Sequence, residues 1–383
     1  MTSEREYLDY YGRNDIIPVR QNTDDLALHM GRRRGLYRQL GLHPTAFRNI
    51  RVLEFGPGTG DNAIYVASCL PESYLLVDGN PASVRAINEK IDRGLLPADR
   101  VECQHSEIRA FRSDTQFDIV LCEGVLGGQQ DTEEFLAHVA TFVKPDGVLV
   151  ITTMSGTGLL AECCRRVLKP LLEARFPDED RLMEKLLDFF APDLQSLPGM
   201  SRLHEDWVHD NILRPLPKRY TFTIPEAIAT LEPEFDVLGA SPNFIQDWRW
   251  YKSIPRHAPS WNDIARTEYS RWAPYFLDYR IHPDAPCDAA VSELEQECQI
   301  ALLLEHEIWR GALGRIPEFV ASLRRVQKMI ASRMPSTVHS ISAFVSGLEC
   351  MLSGAAEPDF GSFHPWFGRG QQYASFVRKP LSQ

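Results

Sequence analysis

Arg51-Val-Leu-Glu54-Phe-Gly56-Pro-Gly58-Thr-Gly60-Asp61 decides the fold of this chain. A short β-rich run ends in an acidic residue, and three glycines follow at every second position. Glycine has no Cβ, so such a turn bends tightly and lets a ligand come close to the backbone. Asn62 to Leu70 then reads as a helix, which sets the turn between a strand and a helix. Tyr74-Leu-Leu-Val-Asp78 reads as a second strand, and Asp78 lies 18 residues beyond Gly60. A carboxylate there can accept hydrogen bonds from both hydroxyls of a ribose. A dinucleotide site wants Gly-x-Gly-x-x-Gly, so that the helix N-terminus can seat a pyrophosphate. In this chain the third glycine comes one residue early and Asp61 follows it, where a carboxylate repels a pyrophosphate. Glu54 suits the ammonium of an amino-acid moiety. A cationic sulfonium carrying an α-amino group fits this pattern, and NAD does not.

Outward from the turn the alternation continues. Pro81 to Arg93 reads as a helix, Val101 to His105 as a weaker strand and Phe117 to Cys122 as a fourth. Thr132 to Phe142 is a further helix and Gly147 to Thr153 a fifth strand. Short apolar strands alternating with helices predict a parallel sheet covered on both faces. From Gly156 to Pro217 the strand signal vanishes and the chain reads as helical, with Pro170, Pro177, Pro192 and Pro198 as breaks. After the helix Ile224 to Leu231, with Pro225 in its first turn, strands resume at Phe235 to Ala240 and Trp248 to Ser253, joined as an antiparallel hairpin. Before the turn, Asp24 to Leu40 reads as a helix capped by Asn22 or Thr23 and stopped by Gly41. Beyond Ile254 a linker rich in proline and tryptophan leads to a helical tail. There Leu294, Cys298, Ala301, Leu304 and Ile308 step by three or four, as one buried helix face does. Phe363 to Val377 reads as a strand or a docked tail.

Composition narrows the function. At 383 residues the chain can bury a large core, and 44% hydrophobic with 24% charged residues is ordinary for a globular protein. A formal charge of -11 argues against a nucleic-acid or anionic-membrane binder, since both usually present a basic face. The N-terminus carries no apolar signal region, and no run of apolar residues is long enough to span a membrane. The eight cysteines form no Cys-x-x-Cys pair and read as reduced cytosolic thiols.

Motif by motif, residues 51–154 resemble the core of class I S-adenosylmethionine-dependent methyltransferases. Val52 to Gly60 is similar to the family's first motif, and Leu76-Val-Asp-Gly79-Asn to its second. Ser106-Glu107-Ile108 stands where the family places a carboxylate near the adenine amino group and an apolar neighbour on the ring, although aspartate is commoner there. Phe117-Asp-Ile-Val-Leu-Cys122-Glu123-Gly resembles the fourth motif, whose last residues line the methionine end of the cofactor. Lys144-Pro-Asp-Gly-Val-Leu-Val resembles the turn into the fifth strand. The resemblance implies a Rossmann-like α/β fold: a seven-stranded, mostly parallel sheet with helices on both faces, the hairpin at 235–253 supplying its last two strands. To this would be added a helical N-terminal lid (1–46), a helical insertion (156–217) within the methyltransferase domain (47–255), and a mainly helical C-terminal extension (256–383). It implies S-adenosyl-L-methionine as cofactor, with Glu54, Gly56, Gly58, Gly60, Asp78, Gly79, Glu107, Ile108, Cys122 and Glu123 around it.

The expected activity is methyl transfer to a small molecule, at a hydroxyl oxygen. The alternatives are a non-catalytic relative of the fold and, third, an NAD-dependent oxidoreductase. The sulfonium is already a good leaving group, so the protein chiefly aligns the reactants, which can be worth roughly 7–11 kcal/mol. A base for a hydroxyl proton adds about 10²–10⁴-fold. His209 and His204, in the run His204-Glu-Asp206-Trp-Val-His209-Asp210 of the insertion, and Glu123 are the candidates. On a helix Asp206, His209 and Asp210 share a face; a base, a metal ligand set and a plain polar surface are the three readings of that cluster. No metal site is expected. Arg32, Arg33, Arg34 and Arg38 read as a solvated helix face, with a clamp for a substrate anion as the alternative. Trp248, Trp250, Tyr251, Trp261 and Trp272 read as core and interface packing, which would also suit an aromatic or sugar-ring substrate. The expected partners are a small-molecule substrate and a second copy in a homodimer, with neither nucleic acid nor membrane, in the cytoplasm.

Overall fold

A computed structural model describes residues 9–12, 17, 20–255, 257–287, 291–355 and 358–380. The chain divides into two compact units, residues 1–154 with 220–269 and 371–383, and residues 155–219 with 270–370.

The first unit is built on the expected alternation. Its elements run α1 (Leu26–Gln39), β1 (Arg51–Phe55), α2 (Ala63–Ser68), β2 (Ser73–Asp78), α3 (Pro81–Asp92), β3 (Val101–His105), β4 (Phe117–Cys122), α4 (Thr132–Ala140) and β5 (Val143–Thr153). The seven-stranded sheet has the order β3-β2-β1-β4-β5-β7-β6. The first five strands are parallel, and β7 (Gln372–Arg378) runs antiparallel to both β5 and β6 (Phe235–Ser241). Alternate residues point to opposite faces. Val52, Tyr74, Leu76, Ile119, Leu121 and Val150 join one core with Tyr37, Phe47, Tyr65 and Ile87 from the helical side. Phe55 packs on the other face against Phe111 and Phe142.

Two local expectations are corrected. The cap of α1 is Asp25, whose side chain accepts from Leu28 N at 2.9 Å, in place of Asn22 or Thr23. The strand beside β5 is β7 from the C-terminus, because Trp248 to Ser253 forms no strand and ends in a short 3₁₀ turn. The large side chains of that segment face water. Of the two readings of Phe363 to Val377, a strand or a docked tail, the strand holds over Gln372 to Arg378, which places Ala374 and Phe376 in the core and pairs on both sides.

The α8 helix (Ile224–Leu231) opens with a capping box, Thr223 accepting from Glu226 N while Glu226 accepts from Thr223 N. Most of α9 (Trp261–Trp272) completes this unit.

The second unit is helical: α5 (Gly156–Arg175), α6 (Glu179–Gln195), α7 (His204–Val208), then α10 (Val291–Trp309), α11 (Ile316–Ile330) and α12 (Pro335–Leu352). Pro170 and Pro192 lie inside α5 and α6 and do not break them. Each forfeits one backbone hydrogen bond. The buried faces of these helices compensate: Arg165 and Arg166 on α5 are buried and ion-paired to Asp193 and Glu305 at 2.8 and 2.7 Å. All eight cysteines are free thiols. Among the described residues no helix is long and apolar enough to cross a membrane.

Candidate functional site

Parallel register brings the chemistry to one edge. Phe55 is level with Val77 and Cys122, and Asp78 with His105. Gly56, Gly79, Glu107 and Glu123 therefore all leave the sheet at its C-terminal edge, where open α/β sheets bind ligands.

The glycine turn needs its glycines. Gly56, Gly58 and Gly60 have φ of 67°, 58° and 77°, a left-handed conformation that costs other residues roughly 1–2 kcal/mol. A Cβ on Gly56 would stand 2.6 Å from Val125 Cγ2. Asp78 locks the turn from the neighbouring strand. Gly58 N donates to its Oδ2 at 3.1 Å and Asn80 N to its Oδ1 at 2.8 Å. Burial raises the Asp78 carboxyl to about 6, with those two amides pulling the other way. Beyond β3, Glu107 is exposed and Ile108 buried, and His138 Nε2 donates to the Ile108 carbonyl at 2.9 Å.

Behind the turn lies a network the sequence reading did not foresee. Glu54 is buried and accepts from the Tyr74 hydroxyl. Burial first, then the charge of Glu123, pushes its carboxyl up to about 8. Glu123 accepts from Arg33 Nη2 at 2.9 and 2.8 Å and from the Tyr37 hydroxyl at 2.8 Å. Arg33 stacks over the Tyr37 ring, 4.9 Å from its centroid. Burial opposes the Arg33 charge, and Glu123 more than restores it. The arginine-rich stretch is thus a solvated face only in part: Arg32, Arg34 and Arg38 are exposed, and Arg33 is buried. The signal was available, since Arg33 and Tyr37 stand four apart on one helix face.

Asp61 serves a structural bond. It accepts from Thr59 Oγ1 at 2.6 Å and from Gln21 N at 3.0 Å, and Lys90 Nζ lies 3.1 Å from it. His29 Nε2 donates to the Asp61 carbonyl at 3.1 Å. Gln21 and His29 are tied to the glycine turn through this residue.

Taken together, Glu54, Asp78 and Glu123 set three carboxyl groups near the turn, and Arg33 is already engaged by Glu123. Burial raises both Glu54 and Asp78, and the positive groups near them, Arg33 and His105, offset this only in part. A cation beside them would favour their charged forms, and a pyrophosphate would disfavour them further.

His204 and His209 belong to the second unit. His204 opens α7, and His209 begins a π-helical turn that runs to Leu213. Asp206 is fully buried. Asp210 is shared by Arg202 and Arg214, at 2.8 and 3.3 Å. The aromatic cluster is corrected for four of its five residues: Trp248, Trp250, Tyr251 and Trp261 are exposed, so they are not core, while Trp272 is half-buried against Tyr275.

Residues 31–195 match the family model of a methyltransferase domain. A mitochondrial ubiquinone biosynthesis O-methyltransferase of Schizosaccharomyces pombe is 29% identical over 111 residues, 29% of this chain and 40% of that protein. A ubiquinone biosynthesis O-methyltransferase of Rickettsia bellii is 26% identical over 120 residues, 30% of this chain and 46% of that protein. The chain thus spans less than half the length of these curated relatives. A solved structure of PKMT2 from Rickettsia typhi, in complex with AdoHcy, is 17% identical and superposes with a TM-score of 0.41, covering 58% of this chain and 46% of that one. The domain match begins inside α1 and takes in the glycine turn and the five parallel strands, so this stretch of the chain is similar to a methyltransferase domain.

Proposed function

We propose that this chain transfers a methyl group from S-adenosyl-L-methionine to a hydroxyl oxygen of a small molecule. The observation that carries the reading is the pair of buried carboxyls, Glu54 and Asp78, beside a positive-φ glycine turn at the C-terminal edge of a parallel sheet. When bound, the cofactor's sulfonium supplies an activated methyl group. The chain's own part is placement. Gly56, Gly58 and Gly60 clear the approach, Asp78 and Gly79 take the ribose, Glu107 and Ile108 the adenine. Glu54 balances the cationic end, with Cys122 and Glu123 at the methionine end.

Glu123 works here as a positioning residue. Arg33 and Tyr37 hold both its oxygens, which suits it to fix α1 over the site better than to carry a proton. His209, or in its place His204, is the proposed base for the hydroxyl proton, and a π-helical turn such as the one His209 begins is a frequent feature of functional sites. The similarity to ubiquinone biosynthesis O-methyltransferases supports oxygen as the accepting atom. Eight free cysteines suit a reducing compartment, the cytoplasm.

Calorimetry tests the reading. S-adenosylhomocysteine should bind, and Asp78→Ala should weaken it by roughly 1.5–3 kcal/mol, the range for a lost hydrogen bond to a charged group. Tight binding of NAD with no affinity for S-adenosylhomocysteine would overturn it.

A further inference from the structure

Where β6 ends at Ser241, the chain leaves the sheet, and the described residues form no strand or α-helix before α9. Because β7 is antiparallel to both its neighbours, β6 runs in the same direction as β5. The loop after it therefore departs from the same C-terminal edge as the glycine turn.

Its base is well anchored. Phe244 is buried and meets Tyr269 edge-on, with ring centroids 5.8 Å apart. Asn262 accepts from Val237 N at 2.8 Å and donates to the Phe235 carbonyl at 2.9 Å. Arg249 is bound on both sides by Asp247. Its tip is bare. Trp248 is 92% exposed, Tyr251 70% and Trp250 63%, and Ile254 and Trp261 are exposed as well. A fixed loop that holds so many large rings in water loses apolar burial, and such a patch marks a contact surface.

The cations on the same loop say what kind of surface. From Trp248 to Ser260 there is no acidic residue, while Arg249, Lys252 and Arg256 are basic, in a chain whose net charge is -11. Lys252 Nζ stands over the Trp250 and Tyr251 rings, at 5.4 and 5.6 Å, and makes no ion pair among the described residues. Indole and phenol rings are apolar bodies with one polar handle, and they settle at the boundary between lipid and water. Basic residues beside them add attraction to anionic headgroups. The overall acidity, which points away from membranes, is an average that this loop departs from.

We infer that the loop tip from Trp248 to Ile254 docks the chain on an anionic lipid surface. Tryptophan and tyrosine enter the headgroup region while Lys252 faces the phosphates. The crevice at the C-terminal edge of the sheet then lies on the side of the unit from which the loop leaves, so an acceptor partitioned into lipid is met at its source. This attachment is peripheral and spans nothing.

The full chain is sedimented with phosphatidylcholine vesicles, with and without phosphatidylserine. Binding should be stronger to the anionic vesicles and weaken with salt. Trp248→Ser should cut partitioning about tenfold, the scale of removing on the order of 60 Å² of apolar contact. Lys252→Ala should cost about fivefold on the anionic vesicles and nothing on neutral ones. Brominated lipid should quench tryptophan emission less in Trp248→Ser/Trp250→Ser than in the parent chain. Far-UV circular dichroism and S-adenosylhomocysteine affinity, unchanged in these variants, show that the fold and the cofactor site are intact. No measurable partitioning of the parent chain, or partitioning equal in parent and variants, overturns the inference. So does a self-association that Trp248→Ser abolishes without any vesicle binding, since a second copy would then be what covers the loop. Neither arm requires turnover, so a failed methyl-transfer assay leaves this result separate.

Discussion

Replacing Arg33 by methionine is the sharpest test of the network behind the glycine turn. The guanidinium makes two hydrogen bonds of 2.9 and 2.8 Å to Glu123 and one of 2.7 Å to Tyr37, with both charged side chains buried. Removing one partner of a buried pair leaves the other charge uncompensated, at a cost of about 3–5 kcal/mol. Glu123→Gln keeps an acceptor for the Tyr37 hydroxyl while removing the charge. The double variant Arg33→Met/Glu123→Gln should therefore lie within about 1–2 kcal/mol of the parent, because no buried ion is left alone. The assay is urea unfolding of parent, both single variants and the double, read as a midpoint shift at constant slope. A coupling energy of about 2–4 kcal/mol is expected from the cycle. If Arg33→Met costs less than about 1 kcal/mol, the value of an exposed pair, Arg33 belongs to a solvated face after all and the network is not structural.

Three further outcomes follow from the same geometry. Glu54 has its carboxyl raised to about 8, chiefly by burial and then by Glu123, so the folded state holds its proton more tightly than the unfolded one. That contribution is complete below the unfolded carboxyl value and is lost as pH rises through about 8, so the gain in melting temperature from Glu54→Gln should grow from pH 5 to pH 8; a gain independent of pH contradicts the assignment. Gly56→Ala should cost more than Gly94→Ala: both need positive φ, but only the first brings a Cβ to 2.6 Å from Val125, and Val125→Ala should recover the difference in unfolding midpoint. His209→Ala should lower kcat by about 10²-fold with little change in melting temperature if it is the base; an unaltered kcat with a lower melting temperature makes the residue structural.

Much of the first unit was legible because its signals are local. Each parallel strand is a short apolar run closed by a turn, and the glycine turn declares itself by three residues whose backbone angles others resist. Asp78 was readable for the same reason, as the last residue of a strand whose neighbour in the sheet is set by crossover connections.

What escaped depended on distance along the chain. The alternating pattern of Trp248 to Ser253 is as strand-like as that of Gln372 to Arg378, and pattern alone cannot tell which one finds two partners. Only the assembled sheet decides, by seating Ala374 and Phe376 in the core and leaving Trp248 in water. Four arginines on one helix look equivalent until tertiary packing buries Arg33 against Glu123, 90 residues away. A buried charge must find its partner or lose its ionisation, so the identity of that partner is a property of the fold. The sequence by itself determined the glycine turn, the parallel strands and the chemistry gathered at their ends, because those follow from residues within a few positions of one another. Tertiary structure decided which distant segment closes the sheet, which arginine is paired and which aromatics remain bare, since each turns on desolvation that no local window contains.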